Sequence, residues 1–305
     1  GVDAVYAPFA SNVGTGKINP SKLADIIPQN NKYNQCIPQI LSNNADEILA
    51  YSNAISQFGH KELNWNLGCP FTRIAHKKKG AGMLLYPDDL FSILDKVLPK
   101  IPVSLSIKTR LGMNRPDELQ AMMERLNTYP ISKLILHPRI GILKYEGFAD
   151  IEAFSNIASI STLPMVYNGD ITDLKSFHRF QSQLPGISEW MPGRGALINP
   201  FLPGAMLNGS YPPVTARNQI LKNFQHDLLE GCYQTKGNKR SVLGSMKAIW
   251  GYMSGMFENQ DDLILRMKRT PDLDEFIKLA DEILQTPTNM DIESWFRNMG
   301  RHISY

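Results

Sequence analysis

The sequence predicts an α/β protein, a (β/α)8 TIM barrel followed by a small all-α helical domain. Three observations carry this prediction. Short β-rich runs alternate with longer amphipathic helical patterns through the first two thirds of the chain. The strand runs are nearly continuously apolar, as strands covered on both faces or closed into a barrel must be. After "NPFLPGAMLNGSYPP" (199–213) the alternation stops and only helical patterns follow.

Strands are read at "DAVYA" (3–7), "CIPQIL" (36–41), "ELNWN" (62–66), "VSLSIK" (103–108), "KLILH" (133–137), "MVYNG" (165–169) and "EWMPG" (189–193). Between them, Asn44 caps "ADEILAYSNAISQF", whose Ile48, Leu49, Ile55 and Phe58 share one face. Pro87 and Pro116 stand where a first helical turn tolerates proline, and Thr172 caps "DLKSFHRFQSQL". Seven strands are visible where a βα barrel has eight. The first strand is therefore expected upstream of Gly1, which would make the sequence N-terminally shortened. Pro203, Pro212 and Pro213 mark a junction, giving a barrel domain over 1–203 and a helical domain over 204–305. Helical patterns then run through "ARNQILKNFQHDLLEGCYQ", "SVLGSMKAIWGYMSGMF", "NQDDLILRMKR" and "PDLDEFIKLADEILQ", with Trp250 and Tyr252 at core spacing.

Composition removes several classes. The chain has 305 residues, 43% of them hydrophobic, enough for a full-sized core. Its net charge of +3 is compatible with an anionic partner without requiring one. Cys36, Cys69 and Cys232 are widely spread with no CxxC, which argues against a disulfide framework, a zinc knuckle and a thioredoxin-like pair; a reducing cytoplasm is expected. The histidines show no HxxxH spacing and there is no Asp-rich calcium loop, so no metal is expected. No apolar run has the length of a membrane span and no signal peptide opens the chain, so no membrane association is expected. No GxGxxG or Walker pattern supports a dinucleotide fold or a P-loop.

In βα barrels the active groups gather at the C-terminal ends of strands. Gln39, Asn66 with Cys69, Lys108, His137 with Arg139, Asn168 with Asp170, and Arg194 all occupy such positions. Taken singly, each reads as a satisfied polar group closing a loop; six successive strand ends turn the balance toward a site. Lys108 is the hardest to dismiss, because an ammonium in an apolar strand needs an anionic or carbonyl partner. "YNGDI" (167–171) and "MPGRGALINP" (191–200) follow what would be strands seven and eight, where barrel enzymes often bind phosphate. Gly169, Gly193 and Gly195 would let the backbone approach the ligand, with Arg194 adding a fork of donors. Two basic stretches complete the inventory: Arg73, His76, Lys77, Lys78 and Lys79 directly after Cys69, and "KGNKR" (236–240) with Lys239 and Arg240.

The series "NWNLGCP…GAGMLL", "SIKTRLG", "LILHPRIGILKYEGFAD", "YNGDI" and "GRGALINP" resembles, in order and spacing, the flavin-dependent tRNA-dihydrouridine synthases over residues 1 to 285. "SMKAIWGYM" is similar to the bacterial type. The resemblance implies an FMN-binding barrel over 1–203, a tRNA-binding helical domain over 204–305, and NADPH as electron donor for reducing a tRNA uridine. It implies that Cys69 is the general acid and that Asn66 lies beside flavin and target base. Gln39, Lys108 and His137 would contact the isoalloxazine and ribityl parts of FMN, and Asn168, Gly169, Asp170, Gly193 and Arg194 its ribityl and phosphate end. Arg139, counted with the cofactor-binding residues, belongs to the family's H-x-R element, where Pro138 stands in place of a small residue and is expected to shift the turn. Arg73, Lys77, Lys78, Lys79, Lys239 and Arg240 would meet tRNA phosphates. A monomer is expected. The alternatives are another FMN barrel acting on a small molecule, and a non-catalytic tRNA-binding relative.

Overall fold

A computed structural model describes residues 2–31, 34–257 and 260–299. They pack as two compact units, one made of 2–169 with 183–191, the other of 170–182 with 192–299.

The first unit holds the sheet. β1 (Ala4–Tyr6) pairs with β3 (Gln35–Ile37), and β2 (Ala10–Ser11) pairs with β4 (Gln39–Leu41). Pro38 separates β3 from β4, so the expected strand over 36–41 is one strand interrupted where proline has no N–H to give. β5 (Glu62–Leu67), β6 (Ser104–Gly112), β7 (Ile131–Ile140), β8 (Met165–Tyr167) and β9 (Glu189–Trp190) complete the order β2-β4-β5-β6-β7-β8-β9. Every pair is parallel, and from β4 to β9 each strand neighbours the next in sequence, the order of a TIM barrel. Six of the seven expected strands lie in this sheet; the expected strand over 3–7 is β1, which pairs with β3 in a separate two-stranded sheet, and the seventh place is taken by β2, which the sequence does not announce.

α1 (Ala45–Gln57), α2 (Thr72–Ala75), α3 (Pro87–Val97), α4 (Glu118–Leu126) and α5 (Ile151–Ile160) connect the strands of this unit. Asn44 caps α1 as expected, its Oδ1 accepting from Asp46 N and Glu47 N. α1 buries Ile48, Tyr51 and Ile55, and α3 buries Leu90, Leu94 and Val97, together with the apolar face of the sheet that carries Trp65, Leu105 and Leu134. α4 starts at Glu118 rather than at Pro116, because the Glu118 carboxylate turns back to accept from the N–H groups of Met113, Asn114 and Arg115. α5 was not foreseen, although Asp150 caps it through Ala153 N.

The second unit is helical: α6 (Leu174–Gln183), α7 (Arg194–Ile198), α8 (Leu202–Asn208), α9 (Val214–Lys236), α10 (Lys239–Met253), α11 (Asp261–Arg269), α12 (Leu273–Ile283) and α13 (Glu293–Met299). At the start of α6 it is Asp173, not Thr172, whose side chain accepts from Ser176 N at 2.7 Å. The Thr172 hydroxyl lies against the Ser176 hydroxyl instead. Trp250, Met246, Met253, Phe276 and Ile283 are fully enclosed in one core, with Tyr252 packed partly buried against it. Gly195 is required here, since a Cβ at this position would lie 1.9 Å from the Ile171 carbonyl oxygen.

Candidate active site

The alternation of β5 puts Asn64 and Asn66 on one face and Trp65 on the other, where the indole N–H donates to the Ser42 carbonyl. On β6 the same period gathers Ser106, Lys108 and Arg110. Register sets Gln39 beside Asn64, Asn66 beside Lys108, and Arg110 beside His137.

These side chains form a directed network. Ser106 Oγ accepts from Asn64 Nδ2, Asn64 Oδ1 accepts from Gln39 Nε2, and Gln39 Oε1 accepts from Asn66 Nδ2, each at 2.8 Å. Asn66 Oδ1 then accepts from both Gly68 N (3.1 Å) and Cys69 N (3.0 Å). All four side chains are buried. Each link fixes the next, so the turn bearing Cys69 is referenced to three successive strands. Asn66 and Gln39 each keep one amide N–H for a ligand. Asn64 and Ser106 were not singled out in the sequence; two asparagines at alternate positions in "LNWN" were the available signal.

Cys69 is buried, and burial pushes its thiol above the ordinary range, while the backbone at Phe71 and the guanidinium groups of Arg110 and Arg73 pull the other way. The net result is a neutral thiol at pH 7. The following "GAG" is its floor. Gly80 has φ +58, and a Cβ there would sit 2.5 Å from the Cys69 carbonyl oxygen, which itself accepts from Ala81 N at 3.0 Å.

Lys108 is partly buried. Among the described residues no hydrogen bond or ion pair holds its ammonium, and burial, reinforced by Arg110, lowers its pKa to about 8. The partner that the sequence leads one to expect is not supplied by the described residues, and an electron-rich ligand with carbonyl or anionic acceptors fits it. His137 and Arg139 are buried on β7. From Arg110 to Gly112 the ladder advances two residues on β6 and three on β7, from His137 to Ile140. The extra residue on β7 is a bulge at Pro138 and Arg139. Arg139 Nη2 donates to the Gly147 carbonyl at 2.8 Å, and the His137 ring lies 6.5 Å from that of Tyr145. Asn168 Nδ2 donates to the Met191 carbonyl at 2.7 Å. A Cβ on Gly169 would lie 2.7 Å from that of Ala149.

Within the second unit, Asp170 adopts φ +44 and its carboxylate lies 3.6 Å from Arg194 Nη2. The Arg194 guanidinium also sits 4.4 Å over the Phe296 ring, and Gly193 precedes it at the head of α7.

The basic residues are unequal. Lys78 pairs with Asp89 at 2.9 Å and lies over the Tyr86 ring; Lys239 pairs with Asp274 at 2.9 Å; Lys79 Nζ donates to Asn12 Oδ1 at 3.1 Å. Arg73, Lys77 and Arg240 are exposed. Among the described residues, no group of three or more His, Cys, Asp or Glu is placed to hold a metal ion, and no helix is long and apolar enough to cross a membrane.

A buried neutral thiol on the turn after β5 and a partly buried lysine with unmet donors on β6, in a sheet with the strand order of a TIM barrel, mark the candidate site of a barrel enzyme. The chain belongs to the dihydrouridine synthase family, whose model matches residues 6–285. It is 26% identical over 245 residues to the tRNA-dihydrouridine(16) synthase of Neisseria meningitidis serogroup B, covering 79% of this chain and 73% of that one. It is 27% identical over 168 residues to tRNA-dihydrouridine synthase B of Pasteurella multocida, covering 54% of this chain and 49% of that one. Among solved structures, histamine dehydrogenase from Rhizobium sp. 4-9 superposes with TM-score 0.50 at 11% identity over 68% of this chain and 41% of that one, a likeness of fold.

Proposed function

We propose that this chain is a tRNA-dihydrouridine synthase that reduces a uridine of tRNA with FMN and NADPH, using Cys69 as proton donor. The observation that carries the reading is the family match together with a neutral, buried Cys69 held by Asn66 at the end of β5. The chemistry that FMN would supply when bound and reduced by NADPH is a hydride for one carbon of the uracil double bond. Cys69 Sγ gives its proton to the other carbon and is reprotonated from solvent. A neutral thiol is the form this role requires. The uracil ring must leave its stack to reach a buried thiol, so the base enters flipped out. Asn66 keeps the thiol in place and has one N–H left for cofactor or base. Lys108, with Gln39 and His137, would hold the ring and ribityl parts of FMN, and Arg139 would steady the loop beside them. Asn168, Gly169, Asp170, Gly193 and Arg194 are proposed for the ribityl and phosphate end, where the phosphate would draw Arg194 from its loose 3.6 Å pairing with Asp170. The barrel domain, 1–203, is proposed as catalytic and 204–305 as tRNA-binding. Arg73, Lys77, Lys78, Lys79, Lys239 and Arg240 would contact RNA phosphates.

The test is direct. The purified protein should show a flavin absorption spectrum, and Cys69→Ala should keep that spectrum while losing dihydrouridine formation on tRNA, read by mass mapping. A protein that cannot be reconstituted with FMN, or full activity in Cys69→Ala, would sink the reading.

A further inference from the structure

Arg110 stands two residues beyond Lys108 on β6, and its side chain is 2% exposed. Its Nε donates to the Gly68 carbonyl at 3.0 Å, while Nη1 donates to the carbonyls of Ile140 (3.2 Å) and Lys144 (2.7 Å). The guanidinium carbon lies 5.5 Å from the centre of the Tyr145 ring. Nε and Nη1 belong to one rigid plane, so the peptide group before Cys69 and the loop after β7 are fixed to each other through a single group. Asn66 holds the same turn by its N–H groups, at Gly68 and Cys69. The dipeptide carrying the thiol is therefore gripped on its donor side by an amide and on its acceptor side by a guanidinium.

We infer that Arg110 is a positioning residue for the proton transfer, setting the place of the Cys69 thiol by holding the Gly68 carbonyl against the loop that follows β7. The choice of arginine follows from this geometry. A lysine would retain the charge, but one nitrogen on a flexible stem cannot meet the Gly68 and Lys144 carbonyls in fixed planar array. Arginine's charge also acts on the thiol, together with that of Arg73 from α2 and the backbone N–H of Phe71, all favouring the thiolate against the burial that opposes it. The two contributions, placement and field, are separable by substitution. The inference rests on the proposed reaction for its consequence on turnover, and on the hydrogen bonds and the charge of Arg110 for its consequence on the thiol.

The experiment compares the full chain as wild type, Arg110→Lys and Arg110→Met, each loaded with flavin. Alkylation of Cys69 by iodoacetamide is followed against pH without RNA, by peptide mass mapping. Dihydrouridine formation on tRNA is measured in parallel. In Arg110→Met the alkylation midpoint should move to higher pH, because a favourable charge is gone; in Arg110→Lys it should stay near wild type. Both variants should lose turnover by about a hundredfold, the scale of an ångström of misplacement, with KM for tRNA and flavin content held. Wild-type turnover in either variant would overturn the inference. So would a joint loss of flavin, thermal stability and activity with no movement of the alkylation profile in Arg110→Met, which would make Arg110 a support of the fold only. If Arg110→Met does not fold, a turnover loss in Arg110→Lys at unchanged flavin content and midpoint supports the placement role, and its absence refutes it. If wild type itself forms no dihydrouridine on tRNA, the proposed reaction fails, while the alkylation series still decides what Arg110 does to Cys69.

Discussion

Lys108 shows how a single residue can be costly to the fold and useful to the site. Its ammonium has lost water without gaining a protein partner, which is why its pKa falls to about 8 from the usual lysine value. The sign of the consequence follows from proton counting. Below pH 8 the residue is charged in both folded and unfolded chains and the full burial cost is present. Between about pH 8 and 10.5 the unfolded chain holds the proton that the folded chain has released, so stability rises with pH. Above that range the cost is gone. Flavin-free Lys108→Met should therefore be more stable than wild type at pH 7, by at most about 3 kcal/mol, and the gap should shrink to under about 1 kcal/mol by pH 10. Urea unfolding at the two pH values measures it, and an equal gap at both would contradict the assignment. The same variant should bind FMN more weakly, because the acceptors of the cofactor would lose the donors that Lys108 offers.

At the scale of an element, the end of β6 is fixed from two directions. Gly141 N donates to the Gly112 carbonyl at 2.8 Å and Ile142 N to that of Met113 at 2.9 Å, joining β6 to the loop after β7. On the other side Glu118 accepts three backbone N–H groups of 113–115. Glu118→Ala would leave these donors to find water and should cost about 1–3 kcal/mol. In a chain of this size each kcal/mol lowers Tm by about 2–4 °C, so a calorimetric melt resolves the loss; an unchanged Tm would show that the carboxylate adds nothing to the loop. This tight end explains what was legible in the sequence and what was not. Strand existence could be read from apolar runs, but their lengths could not: β6 runs to Gly112 and β7 to Ile140 because they pair with each other, beyond where their apolar patterns fade. Lys108 and Cys69 stood out because a charge or a thiol in an apolar frame is unusual. Asn64, Ser106 and Arg110 did not, since their importance lies in which neighbours the register brings beside them, and register is a tertiary property. The cap at Asp173 was misread as Thr172 because adjacent residues of similar capping strength cannot be told apart without the backbone.

For the whole molecule, charge sets how RNA binding must behave. Binding that neutralises phosphates releases counterions, so log K falls with log salt at about 0.7 to 0.9 per contact. Six basic residues are proposed for this contact, which caps the slope near −5. Two of the six are already matched, Lys78 by Asp89 and Lys239 by Asp274, in exposed pairs that a phosphate must displace. Such pairs are worth only about 0.2–1 kcal/mol, so displacement is feasible, but each exchange also frees a carboxylate that repels the RNA. Arg73, Lys77, Lys79 and Arg240 should therefore carry most of the effect, giving a slope of about −3, in keeping with a net charge of only +3. Substituting Lys77 by alanine should flatten the slope by about one and weaken all tRNAs alike, whereas Lys78→Ala should flatten it by less. Filter binding across a potassium chloride series separates these cases. A slope much steeper than −5 would mean that another basic surface meets the RNA, and equal effects of Lys77→Ala and Lys78→Ala would mean that the Asp89 pair leaves the charge of Lys78 fully available.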